Sequence, residues 1–276
     1  MKPMMLSVQT VAMATILSTS AVLAGDWGKA PVDKTPIKEC VDLGGELSVG
    51  YETDYVFYGV RFARDSVWTD VKYSIDELPL PVTVGAWYLN GINGGGAGYD
   101  ELDLYLDVTL GTFAGFDFNL GYYHYIFPEI RSNVKPVGGY GEVYLDVARS
   151  FGFVDATYSM IQAFGGDGTA PGWIHELGLE KTFALCDKVD FVLGASVAYS
   201  DNYYDSATFG LTRDAGWNHY SLKASVPIHL NCRTTLTPYI GYTGAPDSWI
   251  ADGINVGVGG PQSDILHGGL NLAVTF

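Results

Sequence analysis

The sequence predicts an all-β fold, a transmembrane up-and-down antiparallel β-barrel of about twelve strands, and three observations predict it. Apolar and polar residues alternate with period two along most of the chain. The chain closes on an alternating run in which Leu270, Leu272, Val274 and Phe276 share one face. After residue 24 there is no uncharged apolar stretch of the roughly 18 residues that a membrane-crossing helix needs. Aromatics at 14%, 35 glycines and only 17% charged residues favour strands and turns over helices.

Before the barrel, residues 1–24 read as a secretory signal peptide: one charge at Lys2, an apolar stretch from Val8 to Leu23, and a small-residue cleavage site at Ala24. Residues 25–43, with Pro31 and Pro36, read as an irregular periplasmic lead-in, and residues 44–276 as the barrel. Without Lys2, the 15 Lys and Arg become 14 against 31 Asp and Glu, a balance of −17. Such a charge excludes a nucleic-acid footprint.

Strand by strand, alternation covers 47–57, 67–75 and 82–89, then 100–110, where Leu102, Leu104, Leu106, Val108 and Leu110 oppose Glu101, Asp103, Tyr105, Asp107 and Thr109. It continues over 116–123, 142–147, 154–160, 176–180, 190–199, 220–226, 235–242 and 267–276. An even number of strands returns the chain to its starting side. Short turns at 76–81, 111–115, 150–152, 184–188 and 228–233 alternate with longer Gly-, Asp- and Pro-rich connections at 90–99, 127–137, 165–172, 200–216 and 244–263. Short periplasmic turns and long outer loops are the asymmetry of bacterial barrels, which places both termini in the periplasm.

A soluble sandwich would also alternate, with its apolar face turned to a shared core. Aromatics near strand ends favour the barrel: Trp87, Tyr88, Tyr122, Tyr123, Tyr125, Phe151, Phe153, Trp173, Phe183, Tyr199 and Trp217 suit two interfacial girdles. With apolar faces toward outer-membrane lipid, the opposite parity lines the lumen. Its acids are Glu46, Glu52, Asp54, Asp70, Glu101, Asp103, Asp107, Asp117, Glu142, Asp146, Asp155, Glu176, Glu180 and Asp190, against the bases Lys72 and Lys223. An acidic lumen lowers the barrier for cations and raises it for anions. The expected activity is passive diffusion of small solutes or cations across the outer membrane of a Gram-negative bacterium. A non-conducting structural or adhesion barrel and an outer-membrane hydrolase are the alternatives.

Catalytic and metal chemistry leave little trace. No G-x-S-x-G, C-x-x-C or H-E-x-x-H spacing occurs, and no cofactor is implied. His124 and His175 fall on the lipid-facing parity, while His219 or His267 beside Ser221 or Ser263 is the remaining candidate pair. The three cysteines, Cys40, Cys186 and Cys232, all fall on the periplasmic side, where disulfides form. Cys186 with Cys232 joins neighbouring hairpins and is the preferred bridge; a bond from Cys40 to either is the alternative.

The opening strand, Gly50-Tyr-Glu-Thr-Asp-Tyr-Val-Phe-Tyr-Gly-Val-Arg61, resembles the first strand of the TorF-type porin family of proteobacterial outer-membrane proteins. The resemblance covers mainly residues 46–62 and implies a pore. Tyr58 stands where the family pattern has arginine, so no role of that arginine carries over. The terminal strand resembles the last strand of outer-membrane barrels, which implies that the barrel-assembly machinery reads Leu270, Leu272, Val274 and Phe276 as an assembly signal.

Overall fold

The computed structural model describes residues 43–92, 99–128, 139–164, 172–204, 214–246 and 264–276. The signal peptide and nearly all of the lead-in lie outside these residues, as does much of each of the five long connections. Thirteen strand segments follow in order: β1 (Gly45–Phe57), β2 (Val60–Ile75), β3 (Val82–Gly91), β4 (Tyr99–Phe113), β5 (Phe116–Ile126), β6 (Tyr140–Ser150), β7 (Asp155–Phe164), β8 (Trp173–Cys186), β9 (Val189–Asp201), β10 (Ala215–Ser225), β11 (Ile228–Asn231), β12 (Thr234–Gly244) and β13 (Asp264–Thr275).

Consecutive strands pair antiparallel except β10 with β11, and β13 pairs with both β12 and β1, so the sheet closes on itself. β10 and β11 both lie between β9 and β12, and together make one stave interrupted at Pro227, which has no N–H to give the ladder. The ladder survives around the break: Asp190 N donates to Pro227 O at 3.0 Å, and Val226 N to Pro238 O at 3.0 Å. The barrel therefore has 12 strands. Closure matters because an open edge would strand backbone polar groups in lipid.

The exterior carries the apolar parity. Leu47, Val49, Val71, Leu104, Leu106, Leu177, Leu193, Leu222, Ile240 and Leu270 are all exposed, whereas Glu52, Glu101, Glu142, Asp146 and Asn271 are buried. Apolar side chains outside and acids inside invert the arrangement of a water-soluble domain and match a barrel that faces hydrocarbon. Inside, large rings lie flat over glycines of the neighbouring strand. A Cβ added to Gly50, Gly85 or Gly121 would come within 2.3, 2.2 and 2.2 Å of the cross-strand partners Trp68, Tyr105 and Tyr144. Each ring covers the gap its glycine leaves in the pleated wall.

Several expectations need correction. Turns 111–115, 184–188 and 228–233 are tighter than alternation suggests. β4 runs to Phe113, β8 to Cys186, and Ile228–Asn231 is strand, so the turns shrink to residue pairs 114–115, 187–188 and 232–233. Among the girdle aromatics, Tyr88, Tyr122, Phe151, Phe153, Phe183, Tyr199 and Trp217 are exposed on the outside, but Trp87, Tyr123 and Tyr125 are buried. They share the inward parity of Asp103, Gly121 and Asn119, and position along the strand alone does not distinguish the two faces.

Candidate functional site

The first two strands leave the wall together. β1 pairs with β13 from Glu46 to Glu52 and no further, and β2 pairs with β3 from Ile75 back to Ser66 and no further. Single bonds mark the points of departure: Gly268 N to Thr53 Oγ1 at 3.1 Å and Ile92 N to Asp65 O at 3.1 Å. Beyond them the two arms pair only with each other, Asp54 with Arg64 and Phe57 with Val60, with a register shift after Tyr55. Tyr58 (φ 43°) and Gly59 (φ 79°) make the turn, and two consecutive positive φ values are what a two-residue type I′ hairpin needs.

This hairpin tip lies inside the barrel. From residue 55 to residue 60 no side chain is more than 4% exposed. The Tyr58 hydroxyl donates to Glu142 Oε2 on β6 at 3.0 Å, and Asn218 Nδ2 on β10 donates to Tyr58 O at 3.1 Å. Just past β9, the Tyr204 hydroxyl donates to Phe57 O at 3.5 Å and to Tyr58 O at 3.4 Å, and Tyr203 meets the Tyr58 ring edge-on at 5.2 Å. Tyr55 reaches Glu101 Oε1 on β4 at 3.0 Å and packs on Trp87 of β3 at 5.6 Å. Arg61 Nε forms a 2.7 Å ion pair with Asp54, and Arg64 Nε stands 3.6 Å from the same carboxylate.

Beneath the tip, carboxylates and phenols share one wall. Glu142 accepts from Tyr58, Tyr125 and Tyr203, and Glu101 from Tyr55 and Tyr99. Tyr105, Tyr123, Tyr125 and Tyr140 stack in succession, with centroids 5.1, 6.0 and 4.6 Å apart. Asp103 is buried opposite Trp87 and Tyr125.

Toward the turns the interior stays acidic. Asp70 accepts from the Tyr105 hydroxyl at 2.9 Å, Lys72 pairs with Glu46 at 2.9 Å, and Glu52 accepts from Tyr239 at 3.2 Å. Lys223 stands over the Tyr239 ring at 4.5 Å. Neither carboxylate oxygen of Asp107 has a hydrogen-bond partner within the protein among the described residues. Asp146 is buried opposite Asn119. Asp155 and Glu180 are direct cross-strand neighbours, Asp117 accepts from Thr112, and Asp190 lies 3.1 Å from His229 Nε2. Glu176 Oε1 is 3.8 Å from His219 Nε2.

The expected Cys186–Cys232 bridge does not form. Cys186 is a free, exposed thiol, and Cys232 is disulfide-bonded; the remaining cysteine, Cys40, lies outside the described residues. Backbone geometry shows where the Cys232 turn points. Thr275 N donates to Arg233 O at 2.9 Å, and Leu43 N to Phe276 O at 3.0 Å, so this turn borders the seam where lead-in and last strand meet. Cys186, by contrast, ends β8 beside the β8–β9 turn, on the other side of β11.

Among the described residues no serine–histidine pair assembles from the expected set. Ser221 Oγ bonds Ser196 Oγ at 2.9 Å, and His267 Nε2 faces Thr243 Oγ1 at 3.4 Å; Ser263 lies outside the described residues. His124 and His175 bond exterior tyrosines, Tyr122 at 3.2 Å and Tyr158 at 2.8 Å. Among the described residues no group of three His, Cys, Asp or Glu side chains is disposed to hold a metal ion.

Sequence reasoning missed Tyr58, Arg61, Tyr203, Tyr204 and Asn218. One signal was available: Tyr55-Val56-Phe57-Tyr58 is apolar on both parities, the mark of a segment buried on both faces.

Comparison with protein-family models and with curated proteins gives no match. Among solved structures, the chain is similar to the COG4313 outer membrane channel from Pseudomonas putida F1, at 9% identity over 89% of this chain and 100% of that one, with a TM-score of 0.54. It is also similar to the KdgM porin, at 6% identity over 84% of this chain and 99% of that one, with a TM-score of 0.50. The fold is that of an outer-membrane barrel. At these identities the likeness concerns architecture, and what passes through the barrel has to be argued from its own residues.

Proposed function

We propose that this chain is an outer-membrane, porin-like channel for passive diffusion of small solutes or ions, with a preference for cations. The observation that carries the reading is the inverted barrel: an apolar exterior around an interior whose acids, among them Asp70, Asp103, Asp107, Glu142 and Asp146, exceed the bases Arg61, Lys72 and Lys223. A ring of carboxylates in a water-filled lumen concentrates cations and repels anions. The resemblance of residues 46–62 to the TorF-type porins and the likeness to an outer membrane channel and to the KdgM porin support the same reading.

A second reading, a non-conducting structural or adhesion barrel, is favoured by the tip of β1 and β2, which fills the interior at the loop end. Among the described residues nothing comparable favours a hydrolase, since Ser221 engages Ser196. Recording the purified protein in planar bilayers decides between the two. Discrete current steps with cation-selective reversal potentials support the channel; a folded, heat-modifiable protein that passes no current rejects it.

A further inference from the structure

We propose that the inward-folded tip of the β1–β2 hairpin is the gate of this barrel, a movable constriction at the loop end rather than a fixed part of the wall. The proposal rests on the channel reading and adds where its resistance lies. Three observations carry it. The tip is detached from the wall on both flanks, since beyond the single bonds at Thr53 and Asp65, residues 54–57 pair with no residue of β13 and residues 60–64 with none of β3. It nevertheless crosses the interior: Tyr58 bonds Glu142 on β6, five steps round the ring in one direction, and Asn218 on β10, three steps round in the other. Among the described residues it is held to the far wall by side-chain contacts rather than strand pairing: hydrogen bonds from Tyr58 to Glu142, Tyr55 to Glu101, Asn218 to Tyr58 O, and Tyr204 to Phe57 O and Tyr58 O, with ring contacts of Phe57 on Tyr125 and Tyr58 on Tyr203.

A segment held this way has two arrangements available. Its own ladder, from Asp54–Arg64 to Phe57–Val60, stays intact whether the tip lies in or out, so swinging it costs no strand pairing within the hairpin. The positive φ of Asp65 (50°) and the register shift after Tyr55 place irregular backbone in both arms, where a hinge requires it. With the tip in, a ring of tyrosines and the hairpin occupy the lumen; with it out, Glu101, Glu142 and the stacked tyrosines become the lining. Unitary conductance then depends on the tip more than on any residue of the wall.

Two variants test this in planar bilayers. In the first, residues 55–63 are replaced by Asn-Gly, joining the paired residues Asp54 and Arg64 through a two-residue turn. In the second, Tyr58→Phe, Tyr204→Phe and Asn218→Ala remove the latch bonds and leave every strand in place, so a failure of the first to fold does not end the test. Both should shift to higher conductance or a larger open fraction than wild type while migrating as folded, heat-modifiable barrels. Currents equal to wild type in both variants overturn the gate and leave the channel standing. No current through wild type or either folded variant overturns the channel reading, and the gate with it.

Discussion

Tyr58, at the tip of the β1–β2 turn, donates a 3.0 Å hydrogen bond to Glu142 of β6, 84 residues further along the chain. Glu142 is 1% exposed and also accepts from Tyr125, one strand away, and from Tyr203, just past β9. One carboxylate thus ties three parts of the loop end together. Glu142→Ala leaves three buried hydroxyls without their acceptor, at a cost of about 1–3 kcal/mol for each one that finds no replacement. Glu142→Gln keeps a carbonyl oxygen and should lose less. Denaturant unfolding in detergent should rank wild type above Gln above Ala; indistinguishable midpoints would show that the carboxylate contributes nothing to holding the tip.

A different kind of packing stabilises the wall. Gly121 leaves its face open to the Tyr144 ring, and a Cβ there would stand 2.2 Å from it. Gly121→Val should therefore destabilise by about 1–3 kcal/mol, as overpacking does. Tyr144→Ala in the same background should recover part of the loss, because the clash and the ring are one interaction. A double-mutant cycle measures the coupling, and additive effects would deny that the ring and the glycine act as a pair.

The ring closure and the direction of each face were legible because period-two alternation depends only on local sequence. Leu102, Leu104 and Leu106 against Asp103, Tyr105 and Asp107 give the outside of β4 directly. The tip of β1 and β2 was not legible, because its burial comes from partners such as Glu142 and Asn218 that are 84 and 160 residues away. Alternation over 47–57 assigns Tyr55 and Phe57 to the lipid-facing row, but both are buried with Val56 between them, because inside and outside lose their meaning for a segment surrounded on both faces. Trp87 and Tyr123 were misread for a related reason: an aromatic near a strand end fits an interfacial girdle or an inner wall, and only register separates them. The expected disulfide does not form because proximity of turns along the sheet does not decide which cysteines pair.

The cysteines give a test of orientation. Cys186 is a free, exposed thiol at the end of β8, beside the β8–β9 turn. If the short turns face the periplasm, a membrane-impermeant maleimide should label Cys186 only after the outer membrane is permeabilised. Single cysteines introduced in connections 127–137 or 200–216 should label in intact cells. Cys232 should stay unlabelled until reduced. Labelling of Cys186 in intact cells would reverse the topology.

The chain terminus closes the barrel chemically as well as topologically. Phe276 N donates to Gly45 O at 2.9 Å, its carbonyl accepts from Leu43 and Gly45, and its ring lies where a Gly45 side chain would be. Leu270 faces outward, and Leu272 and Val274 share its parity, pairing with Val49 and Leu47 of β1. Deleting Phe276, or replacing it with Asp, removes the last contacts of the seam and the aromatic end expected to be read during assembly. Heat-modifiable protein in the outer-membrane fraction should fall; an unchanged yield would show that the terminal residue is dispensable.

Selectivity should follow the acids at the turn end. Asp107 has neither oxygen hydrogen-bonded within the protein among the described residues, Asp146 is wholly buried in the interior, and Asp155 stands directly opposite Glu180 with the same sign of charge. Like charges held this close are tolerable where water and mobile cations screen them, and they keep the local potential negative. The screening length falls from about 10 Å at 0.1 M salt to about 3 Å at 1 M. Cation preference should therefore be strongest in dilute salt and fade as salt rises. Changing Asp107, Asp117, Asp146 and Asp155 together to Asn should move the reversal potential in a salt gradient toward zero. If the tip of β1 and β2 limits the wild-type current, the shortened-hairpin variant can carry the same measurement, because its deletion lies at the opposite end of the barrel from these four residues. An anion-selective reversal potential in either background would reject the acidic interior as the determinant.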